Sequence, residues 1–113
     1  MISRNELCYA RYDHYPVSPG HTLIIPFRHV ASFFELSRDE LAAALELLEG
    51  VKALLDRNSA PAGFNVGINI GHAAGQTVMH VHIHLIPRFV GDIDNPEGGV
   101  RGVIPEKRMY RKT

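Results

Sequence analysis

The chain has 113 residues, 12 Lys and Arg against 12 Asp and Glu, seven histidines and a single cysteine. That length allows one domain with a modest core, and the even charge excludes the broad basic field of a nucleic-acid binder. Cys8 cannot pair within the chain, which suits a reducing cytoplasm; neither a leader peptide nor a membrane partner is expected, since no apolar run nears the ~20 residues of a spanning helix.

Residues 6–13 alternate as a strand, with Leu7, Tyr9 and Arg11 on one face and Cys8, Ala10 and Tyr12 on the other. Asp13 stands where this strand gives way to the turn-rich Tyr-Pro-Val-Ser-Pro-Gly. A second strand covers residues 21–25, opened by His21 and closed by Pro26, which has no N–H for a ladder. Phe33, Phe34 and Leu36 suggest one short helical turn. Ser37 and Glu40 then match a capping box, and Leu41, Ala44, Leu45, Leu48, Val51 and Leu55 recur at helical spacing. The spacing predicts a helix over 38–57, ended by the stretch around Pro61. Residues 64–70 alternate again, with Phe64, Val66, Ile68 and Ile70 inward and Asn65, Gly67 and Asn69 opposite. Gly67 leaves room on that polar face. Residues 71–75 make a hairpin-length loop.

Residues 76–88 follow as a third alternating strand, apolar at Met79, Val81, Ile83 and Leu85 and carrying His80, His82 and His84 on the other face. Neighbouring imidazoles would stand ~6.7 Å apart along the backbone. Beyond Arg88 the pattern becomes loop, with one short element near Val103 and Ile104 and a basic tail of Arg101, Lys107, Arg108, Arg111 and Lys112 that reads as solvated. His14, His29 and His72 lie outside any pattern and read as surface.

Three readings compete for the histidine row. Local hydrogen bonding would explain one such residue better than three. A metal site would use two imidazoles plus a ligand from elsewhere, because His80 and His84 start ~13 Å apart, and no acid or thiol adjoins the row. Nucleophilic catalysis at phosphorus fits best. Imidazole is largely a free base near neutrality and needs no separate activator. Two charged rings ~7 Å apart would repel by roughly 2.4 kcal/mol at an effective dielectric of 20, which keeps one neutral. His82, with a partner on each side, is the candidate nucleophile. Gly75, Gln76, Thr77 and Val78 precede the row and offer backbone N–H groups, an amide and a hydroxyl to phosphate oxygens.

With His80-Val81-His82-Ile83-His84-Leu85-Ile86, Pro-Val-Ser-Pro-Gly-His at 16–21, Asn69 and the Gly-Gln-Thr-Val at 75–78, the sequence resembles the histidine triad (HIT) family. It looks nearest the fragile-histidine-triad, or diadenosine-polyphosphate hydrolase, side. The resemblance implies an α+β fold: a five-stranded, mainly antiparallel sheet with one long and one short helix, continued across a homodimer. It implies hydrolysis at the α-phosphate of a dinucleoside polyphosphate or related adduct through a nucleotidyl-histidine on His82, releasing a nucleoside monophosphate. His84 would meet the scissile phosphate or leaving group, with His80 and His21 orienting the row. Asp13 would bind ribose, and Asn69, Gln76 and Thr77 the phosphates and sugar. No cofactor or metal would be required, and no nucleic acid or membrane engaged. Two alternatives are action on nucleoside phosphoramidates and a nucleotide-binding or signalling module with little turnover. Arg11 and His14 depart from the family, standing where relatives often carry apolar residues that line the base.

Overall fold

The computed structural model describes residues 1–110. Five strands, β1 (Ser3–Arg4), β2 (Cys8–Tyr12), β3 (Thr22–Pro26), β4 (Gly63–Gly67) and β5 (Ile83–Arg88), form one antiparallel sheet in the order β1-β2-β3-β5-β4. One long helix, α1 (Arg38–Ser59), lies across the face of the central strands. It starts where the capping box placed it: Ser37 Oγ accepts from the Glu40 N–H at 3.1 Å, and Glu40 Oε1 accepts from the Ser37 N–H at 2.8 Å. Glu40 also receives the Arg28 guanidinium at 2.8 and 3.1 Å, whose hydrogen bonds hold its carboxyl down at about 2. Ala60, in the left-handed conformation, ends the helix.

The core lies between α1 and the inner face of the sheet. Ala44, Leu47, Val51 and Leu55 pack on Cys8, Ala10, Ile24, Ile83 and Leu85. Cys8 is a core residue, its thiol pushed up to about 11 by burial and by the Glu40 charge. The expected apolar stripe differs at two positions. Leu47, absent from it, is buried, while Leu45 is 55% exposed. Both choices keep helical spacing, and the sheet decides which leucines it meets.

Two strands are shorter than their alternation suggests. The histidine strand begins at Ile83 rather than Gln76, so only His84 of the three belongs to it. The ladder with β3 pairs Ile24 with Ile83 and goes no further, because Pro26 has no N–H to offer. Upstream, the Val81 N–H reaches the Val30 carbonyl at 2.8 Å instead. Burial still alternates, with Val81, Ile83 and Leu85 inside and the histidines between them half-buried, but Met79 is exposed. β4 stops at Gly67, before Asn69. It is an edge strand beyond the main reach of α1, and Val66, expected inward, is 51% exposed.

The expected short helix is a 3-10 turn, Phe33–Glu35, capped by Ser32. Two further 3-10 turns, Gly99–Val103 and Pro105–Lys107, occupy the region expected to be mostly loop. They are braced by the basic residues expected to be solvated. Arg101 donates to the Lys107 and Arg108 carbonyls at 2.8 and 3.1 Å, and Arg108 to the Asn95 carbonyl at 2.5 Å. Arg111 and Lys112 lie outside the described residues. Among the described residues, no helix is long and apolar enough to cross a membrane.

Candidate active site

The outer face of the sheet, opposite α1, carries the polar row. β3 brings His21, just ahead of its first residue, beside His84 of β5: His21 Nε2 lies 2.9 Å from His84 Nδ1. The His84 ring in turn meets the His82 ring edge-on, centroids 5.0 Å apart. His80 turns back under β3, its Nε2 at 2.7 Å from the Pro26 carbonyl oxygen. His29 is exposed, as expected, and its ring also packs edge-on against His80 at 4.9 Å.

Backbone groups that can only donate or only accept fix the tautomers. The Val17 N–H donates to His21 Nδ1 at 3.0 Å. Neutral His21 therefore carries its proton on Nε2 and donates it to His84 Nδ1. Neutral His84 then carries its own proton on Nε2. His82 Nδ1 sits 3.0 Å from the His80 carbonyl oxygen, which can only accept. Its proton is thus on Nδ1, and the lone pair is on Nε2. The two adjacent rings end up as opposites: His82 presents a base and His84 a donor.

Burial reinforces neutrality. His21 is 2% exposed, and its desolvation lowers its pKa from the ordinary value, against a raising influence from Asp13. His84 is lowered first by desolvation, then by the neighbouring His82 and His21 charges, with Asp13 again opposing. Asp13 Oδ2 stands 3.5 Å from His21 Nε2, while Oδ1 accepts from the Tyr15 N–H at 2.8 Å.

The donor atoms of Asp13, His21 and His84 all lie within 4.8 Å of one another, a spacing a cation could use. The hydrogen bonds oppose that use. A cation on His21 Nε2 would need the lone pair there, which would turn an Nδ1 proton against the Val17 N–H. The donor set therefore suits a proton better than a metal ion.

Two cavities flank the pair of rings. The first, about 460 Å³, is lined by His82 and His80, by Asp13 and Arg11, by Tyr9, Leu23 and Ile25, by His14 and Tyr15, and by Thr77 and Val78. The second, about 420 Å³, is lined by His84 and His21, by Asn65, Gly67 and Asn69, and by Val17, Val100 and Val103 among its apolar residues. Of the residues singled out in the sequence, Asp13, Thr77 and Val78 therefore accompany His80 and His82, whereas Asn69 accompanies His84. Gly75, at φ +95, closes the 3-10 turn His72–Ala74 in a conformation that favours glycine. Gln76 is 3% exposed and fully engaged within the protein. Its Nε2 donates to the Ala31 and Val78 carbonyls at 2.7 and 3.2 Å, and its Oε1 accepts from the Gly71 N–H at 2.8 Å. In this arrangement Gln76 shapes the loop that carries Thr77. The backbone groups of Val17, Pro26 and His80, which set the tautomers, give no side-chain signal in the sequence.

Residues 1–91 match the HIT domain family. The chain belongs to that family. A HIT family protein from Bacillus anthracis superposes with a TM-score of 0.76 at 34% identity, over 80% of this chain and 64% of that one. The Ap4A phosphorylase of Mycobacterium tuberculosis is 36% identical over 93 residues, 81% of this chain and 48% of that protein. An asymmetrical bis(5'-nucleosyl)-tetraphosphatase from Schizosaccharomyces pombe is 37% identical over 92 residues, 81% of this chain and 50% of that protein. The chain thus spans about half the length of these two curated relatives. Its last residues, from 92 on, lie past the HIT match and include the 3-10 turn Gly99–Val103, which walls the second cavity.

Proposed function

We propose that this HIT protein is a nucleotide hydrolase that cleaves dinucleoside polyphosphates at an α-phosphate through a nucleotidyl-histidine on His82. One observation carries the reading: the His80 carbonyl holds the His82 proton on Nδ1, so the Nε2 lone pair belongs to a ring lining the larger polar cavity. The names of the relatives support the substrate class, since both act on dinucleoside tetraphosphates.

In the first step the Nε2–P bond forms and the P–O bond to the leaving polyphosphate breaks. His82 becomes a cation, its Nδ1–H donated to the His80 carbonyl. The departing oxygen leaves as an anion that His84 Nε2–H can hydrogen-bond, so no proton must move. Water then attacks phosphorus, the P–N bond returns its pair to Nε2, and a nucleoside monophosphate and one proton are released. Asp13, in the same cavity as His82, binds the ribose hydroxyls, and Thr77 donates to the phosphate. The free edge of β4, with half-exposed Val66, pairs with the same edge of a second copy.

The test is a rapid-quench reaction with a dinucleoside tetraphosphate labelled in the base. An acid-labile label on His82 is expected, and His82→Ala should lose the label and at least about a thousandfold in turnover. Normal turnover by His82→Ala would refute the assignment. The two relatives' names differ in the acceptor, phosphate in a phosphorylase and water in a tetraphosphatase. Adding inorganic phosphate to the assay separates them: nucleoside diphosphate in place of monophosphate would overturn the hydrolytic step alone.

A further inference from the structure

Among the described residues, the lining of the first cavity contains one arginine or lysine, Arg11, and its charge is unclaimed. None of the ion pairs among the described residues includes it. Asp13, the carboxylate of the same lining, accepts from the Tyr15 N–H and stands beside His21. Arg11 Nη1 donates to the neighbouring Tyr12 carbonyl at 3.3 Å, and the rest of the guanidinium fork is free for a ligand. The sheet register sets how far that fork stands from the chemistry. Arg11 pairs with Leu23 and Leu23 with His84, so two strand spacings, roughly 10 Å, separate Arg11 from the histidine strand. A nucleotide on His82 with its ribose at Asp13 would span that distance with its nucleoside, which leaves the base, not the phosphate, at Arg11. The floor that it crosses is apolar. Leu23 and Ile25 are buried there, beside the Tyr9 ring, which packs on Phe27 with centroids 5.1 Å apart.

We infer that Arg11 reads the base of the nucleotide that His82 takes up, and that it selects guanine over adenine. A guanidinium presents parallel N–H groups, and of the two purines only guanine offers two adjacent acceptors, O6 and N7, to match them. Adenine sets its N6 amino group beside N7, so a donor would face a donor above an apolar floor. The inference rests on the nucleotidyl-histidine reading and adds to it the identity of the nucleotide carried. Attraction of a polyphosphate needs charge alone, whereas this contact needs the planar fork, so lysine cannot replace arginine in it.

A mixed substrate, with adenosine at one end of the tetraphosphate and guanosine at the other, makes the two bases compete within one molecule. Attack at the guanosine α-phosphate puts GMP on His82 and expels ATP; attack at the adenosine end puts AMP there and expels GTP. Water then frees the monophosphate. Rapid quench within the first turnover, with both bases labelled, should find guanylate on His82 in excess of adenylate by roughly tenfold or more in the wild type. Arg11→Leu should bring the two adducts close to parity, and Arg11→Lys, which keeps the charge, should do the same. An even partition in the wild type, or a preference that survives in either variant, would overturn the role of Arg11 while leaving the nucleophile in place. So would a slower Arg11→Leu reaction with the partition unchanged, since that is the mark of a phosphate contact. Absence of any His82 adduct in the wild type would instead overturn the nucleotidyl-histidine reading, and this inference with it.

Discussion

A base and a donor stand side by side here because main-chain atoms dictate how each ring is protonated. The Val17 N–H sets His21, His21 sets His84, and the His80 carbonyl sets His82. His21 touches no reacting atom in this scheme, so it is a positioning residue. His21→Gln should lower kcat by roughly 10- to 100-fold, the usual scale for the loss of an orienting partner, with little change in KM. It should still form the His82 adduct in a quench experiment. A loss confined to KM, or no adduct, would mean that His21 contacts the substrate. The histidine row itself was legible because three imidazoles in alternation have few other uses. The proton positions were not, since Val17 and Pro26 contribute through atoms that every residue or nearly every residue has. The internal bonds of Gln76 were hidden for a related reason. Its amide is as able to bind a phosphate as a carbonyl, and only burial shows that its groups are already spent.

Among the elements, α1 was the most legible, because its start is written in side chains: Ser37 and Glu40 bond reciprocally as their spacing requires. Ser37→Ala should cost about 1 kcal/mol, a drop in Tm of roughly 4 °C for a domain of this size. Turnover below the transition should be unchanged, since α1 packs on the face of the sheet opposite the histidines. Differential scanning calorimetry and a standard assay would check both parts; a fall in kcat would show that α1 also aligns the row. The buried side of the helix was harder to read. Leu41, Leu45 and Leu48 repeat as regularly as Ala44, Leu47, Val51 and Leu55, and only the sheet beneath separates them. Strand ends failed for a similar reason. Alternation runs on through residues 76–82, but β5 needs a partner, and β3 runs out of donors at Pro26.

For the whole molecule, the sheet divides the work: its inner face supplies the core and its outer face holds buried titratable groups. Placing those groups has a cost that pH exposes. His21 and His84 have lowered pKa values in the fold, so below about 6.5 the unfolded chain binds protons that the native state resists. Stability from this source is full above pH 6.5 and is lost as pH falls from there toward the folded values. Glu40 and Asp92, each held at about 2 by an arginine, add a second loss in the same direction. Their contribution is present above the ordinary carboxylate range near 4 and is lost as pH falls toward 2. Urea midpoints should therefore be level from pH 8 to 7, decline between about 6.5 and 5, and drop again below about 4. His21→Gln, which removes one of these two imidazoles, should flatten the first decline and leave the second. A midpoint that rises between pH 7 and 5.5, or an equal decline in the variant, would show that these rings charge as readily in the fold as outside it. The neutrality of His21 and His84 would then need another origin than burial.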